Sequence, residues 1–210
     1  MKEANKEPKE SKQSFIAEAR REQIVEAAIK TLDEIGYVSA SLSQIAKRAG
    51  ISTALISYHF ADKYDLMNDL ITRLLEQSSS YILERVSRAD TAREKLRLFI
   101  EASLAYQGTH PARNAALLEI IFNGRTPENI PYYKLGDDDE ELVLIELKRI
   151  LSEGQQSGEF GAFHIDVMAS VIQGAIGEYM SYTGITKRVD LETYAAELVS
   201  IVSRAVGINI

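Results

Sequence analysis

The sequence contains no cysteine, which removes disulfide frameworks, thiolate nucleophiles and cysteine-ligated zinc from consideration. It lacks any apolar run near the roughly 18 uninterrupted residues that a membrane-spanning helix needs, so no membrane partner is expected. Residues 1–14 mix Lys and Glu with Gln, Asn and Ser and hold no apolar segment of the secretory kind. They read as a disordered tail, and a cytoplasmic location is expected. Histidine is scarce: His59, His110 and His164 are too dispersed for a metal cluster. Nothing resembles a phosphate loop, a nucleophile elbow or a carboxylate pair with a partner. No enzymatic activity, metal or cofactor is therefore expected.

A further absence is local. Acids outnumber Lys and Arg by 31 to 24, giving a net charge of −7, which argues against a surface coated for nucleic acid. Yet no Asp or Glu occurs between Glu34 and Asp62, while Lys47 and Arg48 lie inside that gap and Lys63 at its edge. Acids concentrate later, in Asp137-Asp138-Asp139-Glu140-Glu141, where they complement a helix N-terminus. One locally basic end on an acidic body suits a protein that touches DNA with that end alone.

What is present is helical periodicity. Ile24, Ala28, Leu32 and Ile35 mark one face of a helix that stops at Gly36. A helix near Asp62 carries Leu66, Leu70 and Leu74; the next, capped by Thr91, ends at His110-Pro111. Residues 113–123 are apolar almost all round and read as a central buried helix. Residues 124–136 hold two prolines and read as a loop, long enough to serve as a gate. Helices to about Gln156, over 165–182 and over 190–206 complete the chain. No stretch alternates with strand period. The fold class is all-α.

Residues 41–60, SLSQIAKRAGISTALISYHF, carry the functional signal. Ser41 with Gln44 makes a capping box, Gly50 ends the short helix in a left-handed conformation, and Ser52 caps another that buries Ile56 and Phe60. Two short helices around a Gly-centred turn form either a DNA-binding helix-turn-helix or a plain structural hairpin. In the first case the second helix enters the major groove. Thr53, Ala54, Leu55, Ser57 and Tyr58 then face or flank the DNA, Tyr58, His59 and Lys63 reach phosphate, and Ser43, Gln44, Lys47 and Arg48 form the exposed side of the first helix. The face lacks Arg, Asn and Gln, the bidentate base readers. Discrimination falls to hydroxyls, to thymine-methyl contact by Ala54 or Leu55, and to DNA shape.

The spacing goes beyond the generic motif. Arg21, Ile24, Ala27-Ala28, Gly36-Tyr37, Ser41-Leu42, Ile45-Ala46, Ala49-Gly50-Ile51-Ser52, Tyr58-His59-Phe60, Lys63 and Asp65-Leu66 together resemble the N-terminal domain of the TetR/AcrR repressors. The resemblance implies a three-helix DNA-binding domain, here 15–62, and a six-helix ligand-binding and dimerisation domain, here 63–210. It implies operator contacts at the positions of Ser43, Thr53, Ala54, Leu55, Ser57, Tyr58, His59 and Lys63. Ser57 departs from the Tyr common in the family, so a phosphate contact is shortened there or passes to Tyr58.

Two further sets follow. Tyr106, Glu119, Phe122, Tyr132, Tyr133, Glu178 and Tyr179 are candidate lining for a small-molecule inducer; each aromatic can equally be core, and each acid can equally reach solvent or pair with a cation. Ser170, Gly174, Gly177 and Ser181 make a stripe of small residues on one helix. With Ala195 and Val202 of the last helix, it is either a homodimer interface or a seat for another helix of the same chain. The functional expectation is a repressor that binds a palindromic operator as a homodimer and is released by a small, mostly apolar inducer. The alternative is a DNA-bound protein of this fold controlled by a protein partner.

Overall fold

The computed structural model describes residues 7–135, 142–181 and 184–207. Among them lie nine α-helices: α1 (Glu7–Ser39), α2 (Leu42–Ala49), α3 (Thr53–His59), α4 (Lys63–Val86), α5 (Ala92–Thr109), α6 (Pro111–Asn123), α7 (Leu142–Ser157), α8 (Ile165–Met180) and α9 (Leu191–Ala205). A single 3-10 turn covers Tyr132–Lys134. The all-α expectation holds. The acidic cluster 137–141 lies outside the described residues, as do Tyr182 and the first six positions.

The first helix departs from expectation at its start. It begins at Glu7 rather than after a tail ending at Ser14. Glu, Lys and Gln are strong helix formers, and Pro8 falls in the first turn, where its missing N–H costs nothing. At the other end the helix breaks at Gly36, as expected. Its φ of 72° and ψ of 168° are open to almost no residue but glycine, and the chain resumes helically to Ser39.

The caps form as the sequence implies. The Gln44 backbone N–H donates to Ser41 Oγ (3.3 Å) and the Ser41 N–H to Gln44 Oε1 (3.0 Å), satisfying two orphan donors of α2 reciprocally. Gly50, at φ 68°, closes α2, with the Ile51 N–H donating back to the Ala46 carbonyl (3.0 Å). Ser52 Oγ accepts from the Leu55 N–H (3.2 Å). Asp62 Oδ1 accepts from Asp65 N–H while Asp65 Oδ2 accepts from Ala61 N–H, both at 2.9 Å, which fixes the start of α4 beyond α3.

The chain divides into two compact units. The first comprises the described residues up to Thr72 together with Ala115–Leu135. Its buried side chains include Ile24, Leu32, Ile45, Ile56, Phe60, Leu66 and Leu70. The second comprises Arg73–Asn114 and the described residues from 142 on, where α5 meets α7, α8 and α9 around Leu96, Phe99, Ile100, Leu147, Ile150, Ile172, Leu198 and Val202. Here Glu159 accepts from the Ala92 and Arg93 backbone N–H groups (3.2 and 3.0 Å), capping α5 from a distant turn.

α6 is not the centrally buried helix its composition suggested. It buries Asn114, Ala116 and Ile120, while Phe122 is 63% exposed; apolar residues are permitted inside but not compelled there. Residues 124–135 are ordered by their own bonds. Tyr132 N–H donates to the Gly124 carbonyl (3.1 Å) and Thr126 N–H to the Ile130 carbonyl (2.9 Å), around an Asn129 at φ 63°. Within the same unit the Tyr132 hydroxyl donates to Asn68 Oδ1 (2.9 Å).

Candidate nucleic-acid interface

Helix α3 has seven residues, too few to hold its shape alone, and it is fixed from three sides. Ile56 and Phe60 are buried. The Arg21 guanidinium of α1 donates to Asp69 Oδ1 of α4 (2.8 Å) and to the His59 carbonyl (3.5 Å), and sits 4.6 Å from the Phe60 ring centre. Gln23 of α1 donates from Nε2 to the Ala49 carbonyl at the end of α2 (2.7 Å). Arg21 stood in the sequence pattern, but its spacing alone gave no sign that it clasps α3 and α4 together. Gln23 carried no signal at all.

With the inner face fixed, the outer face is defined. Thr53, Ala54, Ser57 and Tyr58 are exposed, and no acidic residue lies among them to repel phosphate. Tyr58 is 80% exposed, with the His59 ring set edge-on at 5.1 Å. Leu55 and His59 are half-buried, so Ala54 is the better-presented methyl of the two named for thymine. On α2, Ser43, Gln44, Lys47 and Arg48 are exposed as expected.

Two of the cations are less free than the sequence implied. Arg48 forms a two-pronged ion pair with Glu34, Nη1 lying 2.9 Å from Oε1 and Nη2 contacting Oε2; the guanidinium holds the Glu34 carboxyl below its ordinary range. Lys63 donates from Nζ to the Tyr37 carbonyl (2.5 Å) and lies 4.0 Å from the centre of that ring. Burial pulls its ammonium below the usual lysine range. An ammonium has three donors, so two remain for phosphate.

The residues named for an inducer fall in different compact units. Glu119, Phe122, Tyr132 and Tyr133 belong to the first unit; Tyr106, Glu178 and Tyr179 belong to the second. Glu119 accepts from the Tyr37 backbone N–H (2.8 Å) and from Asn123 Nδ2 (3.1 Å). Neither pairing with a cation nor solvent was its main engagement. Phe122 and Tyr133 are exposed and Tyr132 is buried, its hydroxyl held protonated above the ordinary tyrosine range by burial first, then by Tyr37, Tyr64 and Asp62. In the second unit Tyr106 is buried, stacked on His110 at 4.4 Å and tilted against Tyr81 at 5.4 Å. Glu178 is exposed. Tyr179 packs against Tyr194 at 4.9 Å.

The small-residue stripe faces away from its own subunit. Among the described residues, a Cβ built on Gly174 or Gly177 meets nothing within 4 Å. Ser170 and Ser181 are exposed. Val202 is corrected: it is 2% exposed and belongs to the subunit core, because α9 turns Leu198, Val202 and Val206 inward together. Ala195 is half-buried against that core. The outward apolar residues are instead Val167 and Val171 of α8 and Ile201 of α9, each more than half exposed; the sequence reading passed over them.

Residues 24–70 match the family described as bacterial regulatory proteins, tetR family. The regulator BetI of Stenotrophomonas maltophilia is 32% identical over 89 residues, 42% of this chain and only 45% of that protein. BetI of Vibrio campbellii is 29% identical over 163 residues, 76% of this chain and 79% of its own length. Among solved structures, a tetR-family regulatory protein from Rhodococcus RHA1 superposes with a TM-score of 0.78 at 19% identity, over 90% of this chain and 98% of that one. FadR of Bacillus subtilis, solved in complex with stearoyl-CoA, does so with a TM-score of 0.68 at 24% identity, over 90% and 98%. Among the described residues no helix is long and apolar enough to cross a membrane. The capped helix-turn-helix lies inside the span that matches the tetR family, and along the chain the nine-helix order is similar to that of tetR-family structures.

Proposed function

We propose that the chain is a repressor that binds a roughly palindromic operator as a homodimer and is released by a small, mostly apolar inducer. The observation that carries the DNA half is the outer face of α3: four exposed residues, Thr53, Ala54, Ser57 and Tyr58, none acidic, on a helix locked by Arg21 and capped by Ser52. Ser43, Gln44 and Lys47 supply the adjoining face of α2, and His59 and Lys63 supply phosphate donors. Selection from a random duplex pool is expected to yield a symmetric site with half-sites about one helical turn, or a multiple of it, apart. Recovery of no symmetric site overturns the reading.

Symmetry requires a dimer, and the outward stripe Ser170, Gly174, Gly177 and Ser181 with Val167, Val171 and Ile201 supports one built on α8 and α9. The inducer reading is supported by the second unit. The Tyr106 hydroxyl and Gln107 Oε1 are buried without a hydrogen-bond partner among the described residues. Buried polar groups are seldom left unpaired, so a ligand that brings a hydrogen-bonding group to Tyr106 and lays apolar surface on Tyr81 fits that place. The FadR structure of Bacillus subtilis holds stearoyl-CoA, whose stearoyl chain is apolar. Tyr179 and Glu178 are further candidate contacts. Tyr106→Phe is expected to weaken inducer action while leaving operator affinity intact. Equal loss of both overturns the placement at Tyr106.

A further inference from the structure

The exceptional backbone at Gly36 has a partner. Its ψ of 168° turns the following peptide out of the helical ladder, so the Tyr37 N–H must find an acceptor elsewhere. That acceptor is Glu119 Oε2 at 2.8 Å. A Cβ on residue 36 would lie 3.1 Å from the same oxygen, so the glycine also makes room for the carboxylate. Asn123 Nδ2, one turn on, donates to Oε2 from 3.1 Å and steadies it. A charge-assisted bond of this kind is roughly twice as strong as a neutral one.

Tyr37 in turn holds the first residue of α4. Its carbonyl accepts from Lys63 Nζ at 2.5 Å, and its ring lies beneath the ammonium at 4.0 Å. All of these groups lie within one compact unit.

We propose that Glu119 is a positioning residue for DNA binding, which fixes Tyr37 and through it aims the Lys63 ammonium at an operator phosphate beside the recognition helix. The inference rests on the DNA-binding reading above and withdraws Glu119 from the inducer site. It makes residues 115–125 part of the reading head, although they stand some 50 positions beyond the helix-turn-helix in sequence.

The test is the salt dependence of operator affinity, whose slope counts phosphate contacts. Lys63→Ala is expected to weaken binding about tenfold and flatten the slope by about one unit. Glu119→Asp keeps the charge but is one methylene short of the Tyr37 N–H; it is expected to reproduce both effects. Glu119→Gln keeps an acceptor oxygen at full length and is expected to stay within about threefold of the wild type, because reach rather than charge is required. The Glu119→Asp/Lys63→Ala double variant is expected to bind no worse than Lys63→Ala alone, as residues acting through one contact are not additive. A Glu119→Asp protein that binds as the wild type does, or loses affinity with an unchanged slope, or adds its loss to that of Lys63→Ala, overturns the inference. Those outcomes leave DNA binding standing. A wild-type protein that selects no DNA overturns the DNA reading and this inference with it.

Discussion

Individual side chains around the helix-turn-helix are already committed to one another. Arg48 is the clearest case, because Glu34 occupies its two-pronged face and phosphate would have to compete for the same donors. Glu34→Ala is expected to tighten operator binding by about two- to fivefold and to steepen the salt slope by up to about one unit. Folding stability should change by less than about 1 kcal/mol, as is usual for an exposed pair. Fluorescence anisotropy across a salt series, with a thermal melt beside it, checks both; unchanged or weaker binding would show that Arg48 does not reach DNA. Gly36 is a second residue-scale determinant. Gly36→Ala forces a side chain into a conformation reserved for glycine and against Glu119, and is expected to cost about 1–3 kcal/mol of stability, read from denaturant unfolding.

At the scale of elements, the helices are defined by their ends. The short helices α2 and α3 have one side-chain cap each, from Ser41 and Ser52. Replacing either serine with alanine is expected to cost about 1 kcal/mol. α5 has a second cap supplied from outside it, since Glu159 receives the Ala92 and Arg93 N–H groups. The Arg93 N–H first, then the Ala92 N–H and Ser157, hold this carboxyl below its ordinary range. A depressed carboxyl adds stability that is complete above the unfolded-state value and is lost as pH falls through the folded-state value. Glu159→Gln should therefore melt earlier than the wild type at neutral pH, and the gap should close in acid below the usual glutamate range. A gap that persists unchanged there would assign the effect to packing instead.

For the molecule as a whole, the decisive feature is a face that no side chain among the described residues covers. The glycines of α8 stand over open space, and Val167, Val171 and Ile201 are exposed. Replacing Gly174 and Gly177 together with leucine adds side chains that the isolated subunit has room for, but that would hold apart two copies meeting on this face. Sedimentation is expected to show monomer, with helicity and subunit melting retained, and operator affinity to fall as the paired half-sites are lost. An intact dimer would place the interface elsewhere.

The capped boundaries of α2, α3 and α5 and the outward residues of α3 were legible from sequence because they follow from local rules, turn chemistry and a period of 3.6 residues. The helical start at Glu7 was equally local, but the polar composition of residues 7–14 was read as disorder. Other features depend on groups far apart in the chain, and periodicity carries no distance between elements. Glu119 read as a candidate inducer contact, or an acid reaching solvent or a cation; the fold instead brings it to the N–H freed by Gly36, 83 positions earlier. Val202 read as interface because an apolar stripe does not say which neighbour it meets, and only the turn of α9 put it in the core. Arg21, Gln23 and Tyr37 acquired roles through partners 26 to 82 residues away. The sequence alone thus determined most of the helices, their caps and the outward face of α3, since each depends on neighbours within one or two turns. The tertiary structure decided which charges are already spent and which apolar face is left over, since both depend on what the folded chain brings together.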